Sequence, residues 1–164
     1  MKLKLLIILT IASFSAFGQT RKETIDWLNS KFESSPIIRN SIQQSTRFLK
    51  IEDTGNFSVQ EFLYATNVAL PTSRNYNGKT LYTGNFKDLS PNSVRSSRVY
   101  GEIFIFASCT TGKCVNQQDQ GPDFDVYKVS EVAIGVISDP SLEARCKKAF
   151  IHLITISGGK KEAF

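Results

Sequence analysis

Histidine is nearly absent from this chain, which has His152 alone among its 164 residues. Catalytic sites of the Ser-His-Asp and Cys-His kinds need an imidazole beside the nucleophile, and imidazole is also the commonest metal ligand in proteins. His152 falls in a predicted helix, away from any nucleophile that the sequence identifies. We therefore interpret it as a surface or boundary residue, and the sequence contains no convincing catalytic set.

The chain also lacks a strong charge of either sign. Its formal charge is +5, which includes Lys2 and Lys4 near the start. The basic residues are scattered among acidic ones, and no aromatic residues alternate with them as a nucleic-acid-binding surface requires. We therefore expect a solvated surface and no nucleic-acid partner.

No apolar run near the start is long enough to cross a membrane. Residues 5–14 form an apolar run of about ten residues, whereas a spanning helix needs about 20. The run follows Lys2 and Lys4 and leads to small residues around Ala16 and Gly18. This pattern predicts a secretory signal peptide over residues 1–18 and one mature domain over 19–164. We expect a bacterial protein exported to the periplasm or the medium, with no integral membrane segment after cleavage.

Cysteine is scarce and odd in number, with Cys109, Cys114 and Cys146. The first two flank a hairpin-like loop, so they are candidates for a local disulfide, and free thiols remain the alternative. A zinc site would need more ligands than this pair supplies. Cys146 lies on the apolar side of a predicted helix and should be a small buried residue. We expect no metal and no cofactor.

Two further motifs favour ordinary structure over chemistry. Asp53-Thr54-Gly55 matches the catalytic triplet of aspartic proteases, but that chemistry needs two such carboxylates and the chain has one copy. A hairpin turn explains it better. Asp119, Asp123 and Asp125 are the densest acidic group, but their spacing fits no EF-hand, so we interpret them as a solvated loop.

The clearest predicted element is an amphipathic helix over residues 139–157. Asp139 is a suitable N-cap, Pro140 suits the first helical position, and two glycines at 158 and 159 end the helix. Its apolar residues recur at helical spacing, and the buried stripe is expected to contain Leu142, Cys146, Ala149, Phe150, Leu153 and Ile154. A second helix is predicted over 21–33, where Thr20 and Glu23 form a capping box.

Between the helices the pattern is extended. Strands are predicted over 46–52, 57–65, 80–86, 99–109, 114–116 and 124–137, and loops over 71–79, 88–97 and 117–123. Such short connections favour antiparallel pairing. The expected fold is therefore α+β, with a curved, mostly antiparallel sheet of about six strands, an N-terminal helix and a C-terminal amphipathic helix packed on it.

The chain resembles a group of small exported proteins of the Bacteroidota. The resemblance rests on Phe17-Gly18-Gln19, on 23–28 in the first helix, on Lys87-Asp88-Leu89-Ser90 and on 145–153 in the last helix. A run of strands followed by one helix also looks like the pleckstrin-homology-like architecture, with helix-grip and lipocalin-like folds as alternatives. The resemblance implies a fold and no functional residues.

We expect a non-catalytic binding or interaction module, whose partner is an unknown protein or a small apolar ligand. One alternative is a carrier of such a ligand in a cavity under the sheet, lined by some of Tyr64, Tyr76, Tyr82 and Tyr100, although core packing is the better explanation of these tyrosines. A third hypothesis is a hydrolase whose carboxylates come together only in the fold.

Overall fold

The structure, a computed structural model, describes residues 20–32, 38–39, 43–65, 76–120 and 126–159. The elements in chain order are α1 (Arg21–Phe32), β1 (Ile38–Arg39), β2 (Gln43–Ile51), β3 (Asn56–Ala65), β4 (Tyr76–Asn85), β5 (Arg95–Val99), β6 (Glu102–Ser108), β7 (Val115–Gln120), β8 (Val126–Val129), β9 (Glu131–Ile137) and α2 (Glu143–Ile156). The predicted signal peptide lies outside the described residues. In the part of the chain that is described, no helix has the length and apolarity that crossing a membrane requires.

The strands form two antiparallel sheets. The large sheet has the order β1-β2-β3-β4-β7-β8, and the small sheet has the order β5-β6-β9. The predicted α+β class, the antiparallel pairing and the packed C-terminal helix are confirmed. The expected single sheet of about six strands is instead two sheets with nine strands among the described residues.

Helix α1 begins at the predicted capping box. The Glu23 carboxylate accepts a hydrogen bond from the Thr20 backbone N–H at 2.8 Å, and the Thr20 hydroxyl accepts one from the Glu23 N–H at 3.2 Å. One face of the helix is buried through Ile25, Leu28 and Phe32, as the spacing predicts. The sequence therefore determines both where this helix starts and which side faces the core.

Helix α1 also lies along an edge of the large sheet. Strand β1 pairs with only two residues of β2, so among the described residues no strand lies beside the far end of β2 on that side. There the Asn29 side chain donates to the Ile51 carbonyl and accepts from the Ile51 N–H, each at 3.1 Å. One amide thus makes both hydrogen bonds that a neighbouring strand would make.

The first predicted hairpin is confirmed. Strands β2 and β3 pair along their length, from Gln43 opposite Ala65 to Ile51 opposite Phe57, around the turn that contains Asp53-Thr54-Gly55. Gly55 has a φ of +86°, a conformation that favours glycine. The triplet is therefore a turn.

The predicted strand over 99–109 is wrong, because the chain reverses inside it. Strand β5 ends at Val99 and β6 begins at Glu102, and Tyr100 and Gly101 have φ values of +52° and +86°. Two positive φ angles in a two-residue connection are typical of tight hairpins. Strand β6 is central in the small sheet, and its buried residues Ile103, Ile105 and Ala107 alternate with half-buried ones.

The predicted strand over 124–137 is also two strands, which belong to different sheets. Strand β8 pairs with β7 in the large sheet, whereas β9 pairs with β6 in the small one, and Ser130 lies at the bend between them. Val126 is therefore 60% exposed although it shares parity with the buried Val132 and Ile134. The change of sheet breaks the alternation that the sequence suggests.

Three predicted loops are shorter than expected. Strand β4 already begins at Tyr76, within the loop predicted over 71–79, because residues from Tyr76 onward pair with β3. Strand β5 begins at Arg95, within the loop predicted over 88–97. Strand β7 extends to Gln120 because its residues up to Gln120 pair with β4, so Asp119 lies in a strand and not in the predicted solvated loop. Polar composition concealed these strand ends.

The C-terminal helix buries the predicted stripe. Asp139 accepts a hydrogen bond from the Ser141 N–H at 2.8 Å, and a short 3-10 turn leads into α2. Cys146, Phe150 and Leu153 are all 0% exposed, whereas Leu142 is half-buried. The ring of Phe150 lies 5.7 Å from that of Phe32 and 6.3 Å from that of Phe86. Helix α2 thus completes the core.

Candidate functional site

The inner face of the large sheet changes from apolar to polar along its strands. At one end it is buried through Leu49, Ile51, Phe57, Val59 and Val115. Residues that lie opposite one another in antiparallel strands have their side chains on the same face of the sheet. The strand register therefore places a group of polar side chains on this same face, next to the apolar residues. We call the group the Tyr82 cluster, and it contains Arg47, Glu61, Thr80, Tyr82, Gln117, Asp119 and Tyr127.

Register places the cluster in two rows across the sheet. In one row Thr80 lies between Glu61 on β3 and Asp119 on β7. In the other, Gln117 lies between Tyr82 on β4 and Tyr127 on β8. Since neighbouring strands are about 4.8 Å apart, the cluster covers a patch of sheet that a small ligand or one side chain of a partner can span.

Arg47 links the two sheets at one side of the cluster. Its guanidinium pairs with Glu61 at 2.7 Å, and it donates to the Ala133 carbonyl on β9 at 3.2 Å. It also lies 5.7 Å from the ring centres of Tyr82 and of Phe104, which comes from β6. The Arg47 and Glu61 side chains are only 14% and 19% exposed. Arg47, held by Glu61, thus connects the inner face of the large sheet to the small sheet.

Asp119 is held at the other side by neutral donors. It accepts hydrogen bonds from the Thr80 hydroxyl at 2.8 Å, the Tyr127 hydroxyl at 3.1 Å and the Gln117 amide at 3.4 Å. The Thr80 bond is the main reason that the pKa of the Asp119 carboxyl is lowered. Asp119 is therefore ionised at neutral pH, and none of the ion pairs among the described residues includes it.

Tyr82 occupies the centre of the cluster and is half-buried. Burial, followed by the nearby Glu61 carboxylate, raises the pKa of its phenol. No hydrogen bond joins its hydroxyl to another residue in the described part of the chain. The raised pKa keeps the phenol protonated at neutral pH. Tyr127 is 44% exposed at the rim of the cluster.

Glu61 and Asp119 are the carboxylates that register brings closest to a hydrolase arrangement. They lie two strands apart, a backbone distance of about 10 Å, on either side of Thr80. A general acid in such a pair needs a raised pKa. The pKa of Asp119 is lowered, and Glu61 is tied to Arg47. The arrangement suits binding better than proton transfer.

The two candidate cysteines lie away from the Tyr82 cluster. Cys109 and Cys114 are joined by a disulfide with a Cα–Cα distance of 5.8 Å, which closes the loop between β6 and β7. Lys87, Asp88 and Thr110 lie beside it and line a shallow cavity of about 250 Å³ with Cys114. Cys146 is a free thiol inside the core, and burial raises its pKa to about 11.

The structure separates most of the other residues that the sequence singles out. Tyr100 is 64% exposed on the β5–β6 turn, and His152 is half-buried on α2. Tyr64 and Tyr76 lie in strands, but their side chains are outside the described residues, as are Asp123 and Asp125. The described residues contain no group of three or more metal-ligating side chains. Four tyrosines are candidates to line a cavity, and the structure describes the side chains of two of them, Tyr82 and Tyr100. Of these two, Tyr82 belongs to the cluster.

Sequence reasoning missed Arg47, Glu61, Thr80, Gln117 and Tyr127. A signal for the first two was present, because Arg47 has the same parity as Leu49 and Ile51, while Glu61 has that of Phe57 and Val59. A charged residue on the core side of each of two paired strands indicates a buried ion pair. Comparison with protein-family models, with curated proteins and with solved structures finds no match to this chain.

Proposed function

We propose that this chain is a non-catalytic binding module and that the Tyr82 cluster is its ligand site. The observation that carries the proposal is a set of fixed polar groups and aromatic rings on a sheet face beyond the apolar core. Hydrogen bonds and ion pairs orient Arg47, Glu61 and Asp119 before any ligand arrives. Such pre-organisation lowers the entropic cost of binding.

The chemistry of the cluster favours binding over turnover. Neither Asp119, with its lowered pKa, nor the paired Glu61 is suited to act as a general acid. The one histidine of the chain, His152, lies on α2 and not on the strands that carry the cluster. The hydrolase hypothesis therefore has less support than the binding module.

The interior favours this site over a cavity for an apolar ligand. The Phe57 and Phe86 rings are 5.0 Å apart, and Phe86 in turn packs on Phe150. Close-packed rings occupy the space between the sheet and α2 where a carrier would hold its ligand. We further propose that the protein is exported, on the strength of its N-terminal sequence, so that the site acts outside the cytoplasm.

Nuclear magnetic resonance tests the proposal directly. We expect compounds from a panel of amines, sugars, carboxylic acids and hydrocarbons to shift the backbone amide signals of Tyr82, Gln117 and Tyr127. Shifts centred on Phe86 and Phe150 instead would support the carrier. In parallel, turnover of ester, glycoside or peptide substrates that Glu61→Gln or Asp119→Asn removes would overturn the non-catalytic assignment.

A further inference from the structure

We infer that the Tyr82 cluster recognises a cationic nitrogen group, an ammonium or a guanidinium, on its ligand. This inference rests on the proposed function and specifies its ligand. Charge, hydrogen-bond capacity and the placement of aromatic rings in the cluster each point to the same chemistry.

The first observation is an uncompensated negative charge. Arg47 and Glu61 neutralise each other, whereas the three partners of Asp119 are a hydroxyl, a phenol and an amide. Neutral donors stabilise a carboxylate without cancelling its charge. The cluster therefore has a net charge of −1 on a chain whose overall formal charge is +5. A cation is the ligand group that this charge attracts.

The second observation concerns hydrogen-bonding capacity. Within the described residues, only one carboxylate oxygen of Glu61 is bonded, and the Gln117 side-chain carbonyl has no donor. Asp119 Oδ2 accepts only from Tyr127, which leaves a second lone pair. The Tyr82 hydroxyl makes no hydrogen bond within this part of the chain. Acceptors outnumber donors, so the complementary ligand group is rich in N–H.

The third observation is that the cluster already accommodates one cation. The Arg47 guanidinium lies over both Tyr82 and Phe104, each ring centre being 5.7 Å away. Aromatic faces attract a cation through their quadrupole. Tyr127, which is 44% exposed, offers a further ring to an incoming group beside Asp119. An ammonium or guanidinium placed there has a carboxylate and aromatic carbon within reach.

The group has two sources, a small free amine or a basic side chain of a partner protein. Titration of the purified protein with 1,4-diaminobutane represents the first, and titration with an acetylated Gly-Arg-Gly amide and a Gly-Lys-Gly amide represents the second. Shifts of the Tyr82, Gln117 and Tyr127 amide signals report binding. Tighter binding of the peptides than of the diamine identifies a protein partner, and the reverse order identifies a small amine.

Two variants and one change of solvent decide the inference. Asp119→Asn keeps the shape of the side chain and should weaken binding of the cationic probes about tenfold. Asp88→Asn, an exposed carboxyl outside the cluster, is the matched control and should leave it unchanged. On the unaltered protein, raising NaCl from 20 to 300 mM should weaken the same binding, which tests the charge even if Asp119→Asn fails to fold.

Failure of the inference differs from failure of the proposed function. If glucose or acetate shifts the cluster signals and the cationic probes do not, the cation assignment is overturned and the binding module stands. Cationic binding that is insensitive to both Asp119→Asn and salt also overturns it. If no class of compound shifts these signals, both proposals fail.

Discussion

The Arg47–Glu61 ion pair is expected to have a far larger coupling free energy than the exposed Lys22–Asp26 pair of the same chain. Removing one partner of a fully buried pair costs about 3–5 kcal/mol, because the other charge is left without compensation. Here the side chains are 14% and 19% exposed, so water solvates part of the orphaned charge. We therefore expect a coupling free energy of about 2 kcal/mol.

A double-mutant cycle measures this quantity. The variants are Arg47→Met, Glu61→Gln and the pair together, each unfolded in urea and followed by circular dichroism. Arg47→Met also removes the hydrogen bond to Ala133 and the contacts with two rings. Those losses occur whether residue 61 is Glu or Gln, so they cancel in the cycle. What remains is the coupling free energy between Arg47 and Glu61.

The chain provides its own control in Lys22–Asp26, an ion pair on α1. Its oxygen and nitrogen are 3.0 Å apart, but the side chains are 72% and 59% exposed. The corresponding cycle with Lys22→Met and Asp26→Asn should give a coupling free energy within error of zero, because exposed pairs are screened. An Arg47–Glu61 coupling no larger than this control would refute our account of two charges that compensate each other at a mostly buried position.

Three further predictions concern the core, the cysteines and Asp119. Phe150→Ala should lower the free energy of unfolding, measured in urea, by about 4 kcal/mol. Ile156 is 40% exposed on the same helix, so Ile156→Ala should change this free energy little, and similar losses in the two variants would contradict the placement of the helix. Alkylation should modify no cysteine in the native protein, only Cys146 in urea and all three after reduction; three labelled thiols before reduction would exclude the disulfide. The pKa of Asp119 is lowered on folding, so its ionised form stabilises the protein above the ordinary aspartate pKa of about 3.9. The stability advantage over Asp119→Asn should shrink as the pH falls below that value, and a difference independent of pH would contradict this.

The elements that the sequence predicts well are those whose pattern is local. The capping box of Thr20 and Glu23, and the stripe that contains Phe150 and Leu153, depend on residues within a few turns of one another. The β2–β3 hairpin is equally local, since its turn residues lie between its strands. These features need no knowledge of the rest of the fold.

The errors occur where a distant strand decides the structure. Whether Tyr76 is in a loop or a strand depends on its pairing with Ala65 across a long connection. The change of sheet at Ser130 cannot be recognised in the sequence, because apolar residues keep the same parity on both sides of it. The Tyr82 cluster is of the same kind, because Glu61, Thr80 and Asp119 lie far apart in the sequence and only the strand register makes them neighbours.

The amide of Asn29 has a consequence for how this molecule meets others. An open sheet edge offers N–H and C=O groups to a strand from a second chain, and growth from such edges leads to aggregation. At Ile51 both groups are already engaged by the helix side chain. A strand from another chain that approaches at Ile51 therefore finds both groups already bonded, so a single side chain on α1 opposes strand addition at that position.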